Sequence, residues 1–509
     1  MKESDDLFLL IKSLTKNEKG YFKKVANLHS IGGKNKYVII FDAIEKQKAY
    51  DEEALLTKFS SEKFVRQFHV AKNYLYHLIL KSTEQYHNTI DITLRSSLSN
   101  IEFLFNKHLY KQAQKLVNKA MQLAVKYERF AALIEIYSIQ SKLSRQTIHS
   151  SIKQKDWDDL LAAEILNIEK INNLTQYRQM HYSMHIKMLL EGRSSQTKTK
   201  SSDNSLKNII TNPLLSSEKK ALSDQGKIYF YACKSSYYHL MNDNESALLN
   251  AKKLVEHFES KSELMNDNLK AYQIAISNVI ASSINVKKYK DVYVYIEKLK
   301  SSDQNSKNST YKNFFFIHQM LLTVHINLGK FSESVALIEK IQNELQNKKF
   351  DVFHKQHEAA FNYLYAYAYF GAGNYSKANT YLNKILNDSG KLQGDYYTFA
   401  KIFNIVIHYE LGHFDLLESL IKSTYRYLFK KNKLLRFESL FLTFMRKTLP
   451  KTNSKKELLQ AFTKLKNELT KLSNDPKEEL AFSYFDLIAW LNSKINKESF
   501  AVAYRKREH

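Results

Sequence analysis

His181 and His185 stand four residues apart in HYSMH, the separation that sets two imidazoles on one helix face where a divalent metal can bridge them. The glutamate that acts as general base in helical zinc proteases is missing between them, and no third ligand stands nearby. Surface or satisfied helical histidines account for the pair. Carboxylates cluster as Asp51-Glu52-Glu53 and Glu478-Glu479, each beside a predicted helix start where the macrodipole favours acids. The single cysteine, Cys233, excludes an internal disulfide and a cysteine-based zinc site. Its surroundings, KIYFYACKSSYYHL, predict a buried small hydrophobe rather than a reactive thiol. There is no glycine-rich phosphate loop, dinucleotide fingerprint or serine nucleophile elbow. The expectation is a non-enzymatic protein with no metal, no cofactor and no small-molecule substrate.

Charge leaves three kinds of partner open. The 77 basic and 52 acidic residues give +25, which favours nucleic acid, an anionic membrane surface or an acidic protein. Lysine greatly outnumbers arginine and Asn, Ile and Tyr abound, the composition that an AT-rich bacterial genome produces without selection for binding. Aromatic residues are plentiful (33 Tyr, 30 Phe), and some interleave with cations, as in Tyr425-Arg-Tyr-Leu-Phe-Lys430. Platforms for single-stranded nucleic acid use such side chains, although an aromatic stripe at helical spacing reads first as core. In residues 1–95, two helices flank Phe59-Ser-Ser-Glu-Lys63, as in a helix-turn-helix. Sixteen basic and twelve acidic residues there leave only +4, so a structural helical unit is expected.

The elements that must position these residues are helices. Eleven Gly and three Pro in 509 residues are too few for the turns of a β-rich fold. The amino terminus, MKESDDLFLLIKSLTK, carries acids where a secretory signal needs bases, and no segment reaches the roughly 18 apolar residues of a membrane span. A cytoplasmic location is expected. Residues 1–95 predict short helices at Asp5–Leu14, from Thr15 (a capping box with Glu18), at Tyr37–Gln47 and at Asp51–Phe59. A long helix, Glu62–His87, closes this unit with Phe68, Tyr74, Leu75, Ile79 and Leu80 apolar. Helical hairpins follow over 96–191, with Trp157–Ile171 and Tyr177–Leu190 as separate helices. Gly192–Ser205 contains no apolar residue and reads as a linker or loop. Helical repeats fill 206–429, and basic capping helices Lys455–Leu472 and Glu478–Ile495, with a basic tail from Tyr504, fill 430–509.

One bend recurs along the chain. Gly329-Lys-Phe331-Ser-Glu-Ser334, Gly373-Asn-Tyr375-Ser-Lys-Ala378 and Gly412-His-Phe414-Asp-Leu-Leu417 share a glycine, an aromatic two residues later and a small or apolar residue three further on. Asn244 with Ala247 and Tyr289 with Val292 continue the series at a spacing near 40, as in a helical solenoid. The glycine suits the end of a first helix, the aromatic packs under the turn, and the small residue lets the second helix approach.

These bends resemble the tetratricopeptide repeat, whose Gly-x-Tyr-x-x-Ala turn precedes a helix with apolar residues four and seven positions after the alanine. Leu382 and Ile385 fit after Ala378, Ile338 and Ile341 after Ser334, and Val117 and Ala120 after Ala113. The period exceeds the family's roughly 34 residues, and its early Trp-Leu-Gly pattern and terminal proline are absent, so the resemblance is to a divergent member. It implies an all-α fold, a right-handed superhelix of stacked helical hairpins between an amino-terminal helical unit and carboxy-terminal capping helices. It also implies a scaffold that binds a peptide segment or protein partner along the first helix of each hairpin, at Gln319, Asn327, Tyr363, Tyr367, Tyr409 and Glu410. Tyr363 and Tyr367, one turn apart, either clasp an extended ligand or pack between hairpins. A nucleic-acid-associated regulator, with a contact through residues 1–95 or the basic carboxy-terminal region, is the alternative.

Overall fold

The computed structural model describes residues 5–28, 35–146, 154–191, 208–302, 307–348, 355–387, 395–430, 434–473, 475, 478, 482 and 485–507. The polar stretch Gly192–Ser205 lies outside the described residues. Among the described residues all regular structure is helical, so the all-α expectation holds. The chain forms two compact units, Met1–Ile171 and Asn172–His509.

In the first unit, α1 (Asp6–Ser13), α2 (Lys16–Asn27), α3 (Lys36–Lys46), α4 (Glu52–Lys58) and α5 (Phe68–His87) enclose Ile11, Phe22, Phe41, Ile44, Leu75 and Ile79. The capping box at α2 is present: the Thr15 amide donates to Glu18 Oε2 (2.6 Å) and the Glu18 amide to Thr15 Oγ1 (3.3 Å). Asp51 caps α4 by accepting the Ala54 amide at 2.9 Å. Helix α5 begins at Phe68 rather than Glu62, because Lys63–Gln67 forms a 3₁₀ turn that brings Phe64 onto buried Phe59, ring centroids 5.4 Å apart. Its inward stripe is Phe68, Ala71, Leu75, Ile79 and Ser82, which leaves Tyr74 and Leu80 exposed instead of in the core.

Next come α6 (Ile90–Asn106), α7 (Tyr110–Lys126) and α8 (Phe130–Gln146), with α7 packed on α6 and α8 on α7. Helix α9 (Gln154–Glu191) replaces the two helices expected over 157–190, since Asn172-Asn-Leu-Thr-Gln offers no Gly or Pro to break it. The boundary between the units falls within it.

The second unit is built from hairpins. α10 (Asp224–Leu240) pairs with α11 (Asn244–Ser260), and a short α12 (Ser262–Asp267) leads to α13 (Leu269–Asn285) and α14 (Tyr289–Ser301). Then α15 (Lys307–Asn327) pairs with α16 (Phe331–Lys348), α17 (Lys355–Gly371) with α18 (Tyr375–Leu386), and α19 (Asp395–Glu410) with α20 (Phe414–Lys430). First helices also touch the next first helix, α13 on α15, α15 on α17 and α17 on α19. After α21 (Arg436–Thr443) a π-helical turn, Phe444–Thr448, leads on to α22 (Lys455–Leu472), α23 (Leu487–Asn496) and α24 (Phe500–Arg505).

Seven bends among the described residues close the same way. At Gly329, Gly373 and Gly412 the backbone turns left-handed, with φ of +66°, +80° and +74°. The next amide then reaches back to a carbonyl five residues earlier: Lys330 to His325 (2.9 Å), Asn374 to Tyr369 (2.8 Å) and His413 to His408 (3.0 Å). This is a Schellman cap, which satisfies carbonyls that the helix end would otherwise leave open. Asn242 (φ +63°) and Lys287 (φ +58°) do the same without glycine, as do His108 (φ +59°) and Glu128 (φ +52°) in the first unit. Their closing bonds run from Asp243 to Tyr238 (2.9 Å), Lys288 to Ser283 (2.8 Å), Leu109 to Leu104 (2.9 Å) and Arg129 to Ala124 (2.8 Å).

The residues after the bends behave as their spacing predicts, with one exception. Ala378, Leu382 and Ile385 are buried, as are Ser334, Ile338 and Ile341, and Ala113, Val117 and Ala120. Phe331 packs against Tyr367, Phe500 and Tyr504, whereas Phe414 does not go under its turn and is 60% exposed.

Two classes of substitution test this frame by urea unfolding. Gly373→Ala places its Cβ where nothing lies within 4 Å, so only backbone strain of about 1–2 kcal/mol is expected. Lys287→Gly relieves the same strain and is expected to stabilise by up to about 1 kcal/mol. Ala378→Leu, at a fully buried contact, is expected to cost roughly 1–3 kcal/mol through overpacking.

Candidate protein-binding surface

The six residues predicted to line a partner site lie on the first helices α15, α17 and α19, and most are covered by the chain's own carboxy-terminal segment. Tyr367 is 5% exposed and surrounded by the rings of Phe403, Phe485, Phe500 and Tyr504. Its hydroxyl accepts the Asp486 amide at 3.1 Å, and burial holds its pKa well above the ordinary phenol value. Tyr363 is buried against Tyr396 and Phe403, both at 5.9 Å. These two tyrosines therefore pack between hairpins, the second of the two roles their spacing allowed.

Helix α23 lies against the end of α19. Trp490 is fully buried, so its indole N–H needs a partner, which Glu410 provides at 2.6 Å. The same carboxylate accepts from Lys494 at 2.6 Å, and Tyr409 meets the Trp490 ring edge-on at 5.5 Å. Asn327 ends α15, and its carbonyl accepts from Arg507 Nη2 at 3.0 Å. Gln319 is half-buried, and its carbonyl accepts from Thr323 Oγ1 at 2.9 Å.

The basic tail expected from Tyr504 onward is tied to the core through Tyr504 and Arg507, while Arg505 and Lys506 are exposed. Tyr504 is buried, and the Arg507 guanidinium lies 3.6 Å over its ring. Arg507 also pairs with Asp486 at 2.7 Å, while the other Asp486 oxygen caps α23 through the Ala489 amide at 2.8 Å. Sequence reasoning missed Phe485, Asp486, Trp490, Phe500 and Arg507. The available signal was Leu487, Trp490 and Leu491, an apolar cluster where a polar cap was expected.

The other chemistry-bearing groups are held structurally. Cys233 is fully buried, its thiol faces the Tyr177 carbonyl at 3.7 Å, and burial pushes its pKa up to about 12. The His181 ring packs on Tyr229 at 5.6 Å while His185 is exposed, and among the described residues no three His, Cys, Asp or Glu converge on a metal position. Glu478 caps α21, accepting the amides of Arg436 (3.0 Å) and Phe437 (3.1 Å), rather than a helix that it begins. Glu479 lies outside the described residues. Beside Glu478, Glu438 is 2% exposed, and burial, with a smaller push from the Glu478 charge, raises its pKa to about 7. Among the described residues no helix is long and apolar enough to cross a membrane.

Fold and surface together define a class: an all-α protein of packed helical hairpins whose later first helices are covered by its own carboxy terminus. Comparison with family models, with curated proteins and with solved structures finds no match to this chain.

Glu410→Ala strands the Trp490 N–H in the core, and a loss of about 1–3 kcal/mol in urea unfolding is expected. Glu438 gives a pH signature. Its folded pKa, about 7, is raised above the unfolded value, so its contribution is full below the unfolded pKa and is lost as pH rises through 7. The stability of Glu438→Gln relative to wild type is expected to rise between about pH 4.5 and 7 and then level off; thermal melts across this range measure it.

Proposed function

We propose that this chain is a non-enzymatic cytoplasmic interaction scaffold, a divergent tetratricopeptide-like superhelix that holds a peptide segment or protein partner along its first helices. The observation that carries this reading is the contrast between hairpins. In α17 the position eight residues before the bend aromatic is Tyr367, covered by Phe485, Phe500 and Tyr504. The matching position in α13 is Ala281, eight before Tyr289, and it is exposed. Lys270, Ile274 and Asn278 are exposed on the same stripe, with Ile274 at 62%. Ile274, in the middle of a stripe whose counterpart in α17 is covered, suits a partner's apolar anchor, and Lys270 suits an acidic neighbour to it.

On this reading the partner surface is α13 together with Gln319 in the middle of the next first helix, and not Tyr363 and Tyr367. The test is an affinity capture from lysate with and without nuclease and at two salt concentrations, comparing wild type with Ile274→Lys. A discrete protein retained by wild type and lost from Ile274→Lys, with unchanged melting of the variant, is the expected result. Identical capture by the two proteins would reject the surface, and recovery of nucleic acid alone without nuclease would reject the scaffold.

A further inference from the structure

We propose that the outer edge of α20, with the π-helical turn beside it, is a binding site for single-stranded nucleic acid. The register of α20 is set by Leu417, Ile421, Thr424 and Leu428, all buried. That register turns Phe414, Tyr425 and Phe429 outward, at 60%, 43% and 67% exposure. The motif Tyr425–Lys430, expected to be core, thus sends only Leu428 fully inward and Tyr427 partly. Tyr425 and Phe429 lie one helical turn apart with nearly parallel rings, 12° between planes and 6.2 Å between centroids. A single exposed aromatic needs no explanation, but three on one helix edge do.

Cations border this edge. At 3.6 residues per turn, Lys422, Arg426 and Lys430 form the neighbouring ridge of the same helix, and all are exposed. In the π turn Phe444 and Met445 are buried, which leaves Arg446 and Lys447 exposed. Lys422 pairs with Glu418 at 2.6 Å, and Arg446 is close enough to act on the same carboxylate. Lys401, on α19, rests over the rings of Tyr397 and Tyr427 at 5.3 and 5.6 Å, on the side of α20 away from Tyr425 and Phe429. Among the described residues no carboxylate pairs with Lys401, Arg426, Lys430 or Lys447. Residues 414–456 carry eleven Lys and Arg against three Asp and Glu, one of which is buried Glu438.

A ligand that matches this surface carries closely spaced negative charge and flat rings free to stack. Single-stranded nucleic acid has both: phosphates for the cationic ridge, and unpaired bases for Tyr425 and Phe429. An acidic peptide supplies the charge without the rings, and a duplex keeps its base faces stacked inside. Lysine and arginine here meet phosphates rather than base edges, so little sequence preference is expected.

Fluorescence anisotropy of the full chain with a labelled homopyrimidine oligonucleotide tests the site. With three or four phosphate contacts, affinity is expected to fall roughly 20- to 50-fold between 50 and 200 mM salt. Tyr425→Ala with Phe429→Ala is expected to weaken binding by about tenfold or more while leaving the melting temperature and the salt slope in place. Arg426→Glu with Lys430→Glu is expected to remove most binding. The control Lys111→Glu with Lys115→Glu makes the same charge change on exposed residues of α7 and is expected to bind like wild type. The proposal fails if the alanine pair binds like wild type, if the two charge reversals are equivalent, or if no binding is seen at low salt. It also fails if polyglutamate or anionic vesicles compete better than unlabelled oligonucleotide. Capture of a protein through Ile274 is independent of each of these results.

Discussion

A helix that must reverse direction leaves its last carbonyls without partners, and this chain meets that constraint with one left-handed residue per bend. The turn at Gly329, Gly373 or Gly412 sends the following amide back to the carbonyl five residues earlier and starts the second helix at a fixed angle. Everything downstream depends on that angle. It brings Ala378 and Ser334 against the first helices, and it sets the register that buries Leu382 and Ile385 in one hairpin and Ile338 and Ile341 in another. Lys287, Asn242, His108 and Glu128 reach the same geometry with a Cβ in place, so the tertiary contacts of those hairpins hold a conformation that glycine would adopt without strain.

A helical hairpin alone leaves an apolar face wet until another segment covers it. For the later hairpins that cover comes from residues 485–507. Phe485, Trp490, Phe500 and Tyr504 join the same buried cluster as Tyr367, Phe403 and Phe441. The polar atoms brought in with them find partners: the indole N–H on Glu410, the Asp486 amide on the Tyr367 hydroxyl, and Arg507 on Asp486 and the Asn327 carbonyl. The carboxy terminus is thereby a structural part of the later hairpins. The stripe through Ile274 and Ala281 on α13 and the aromatic edge of α20 have no such cover from the described residues that bury Tyr367.

Much of the fold was legible because local chemistry decides it. The Thr15–Glu18 capping box, the Asp51 cap, the glycine bends and the burial after Ala378 all follow from interactions within a few residues along the chain. Less of the candidate surface was legible. Tyr363 and Tyr367 were correctly placed on a first helix, but their neighbours Phe403, Phe485 and Tyr504 come from far along the sequence. Tyr425 and Phe429 show the reverse failure: helical spacing alone cannot say which of two aromatic-bearing faces goes inward, and Leu428 and Thr424 won.

The sequence by itself determined that the chain is helical, that its helices pair at regular bends, and that catalytic and metal-binding motifs of familiar spacing are missing, since each of these is written in residue type and short-range separation. Only the tertiary structure decided which faces remain for a partner. That choice rests on contacts between residues as distant as Asn327 and Arg507, or Glu410 and Trp490, and the spacing of Leu487, Trp490 and Leu491 marks a buried face without saying what it covers. The same physical reason anchors the expected basic tail: Tyr504 and Arg507 read as a solvated end until Asp486 and Tyr367 are set beside them.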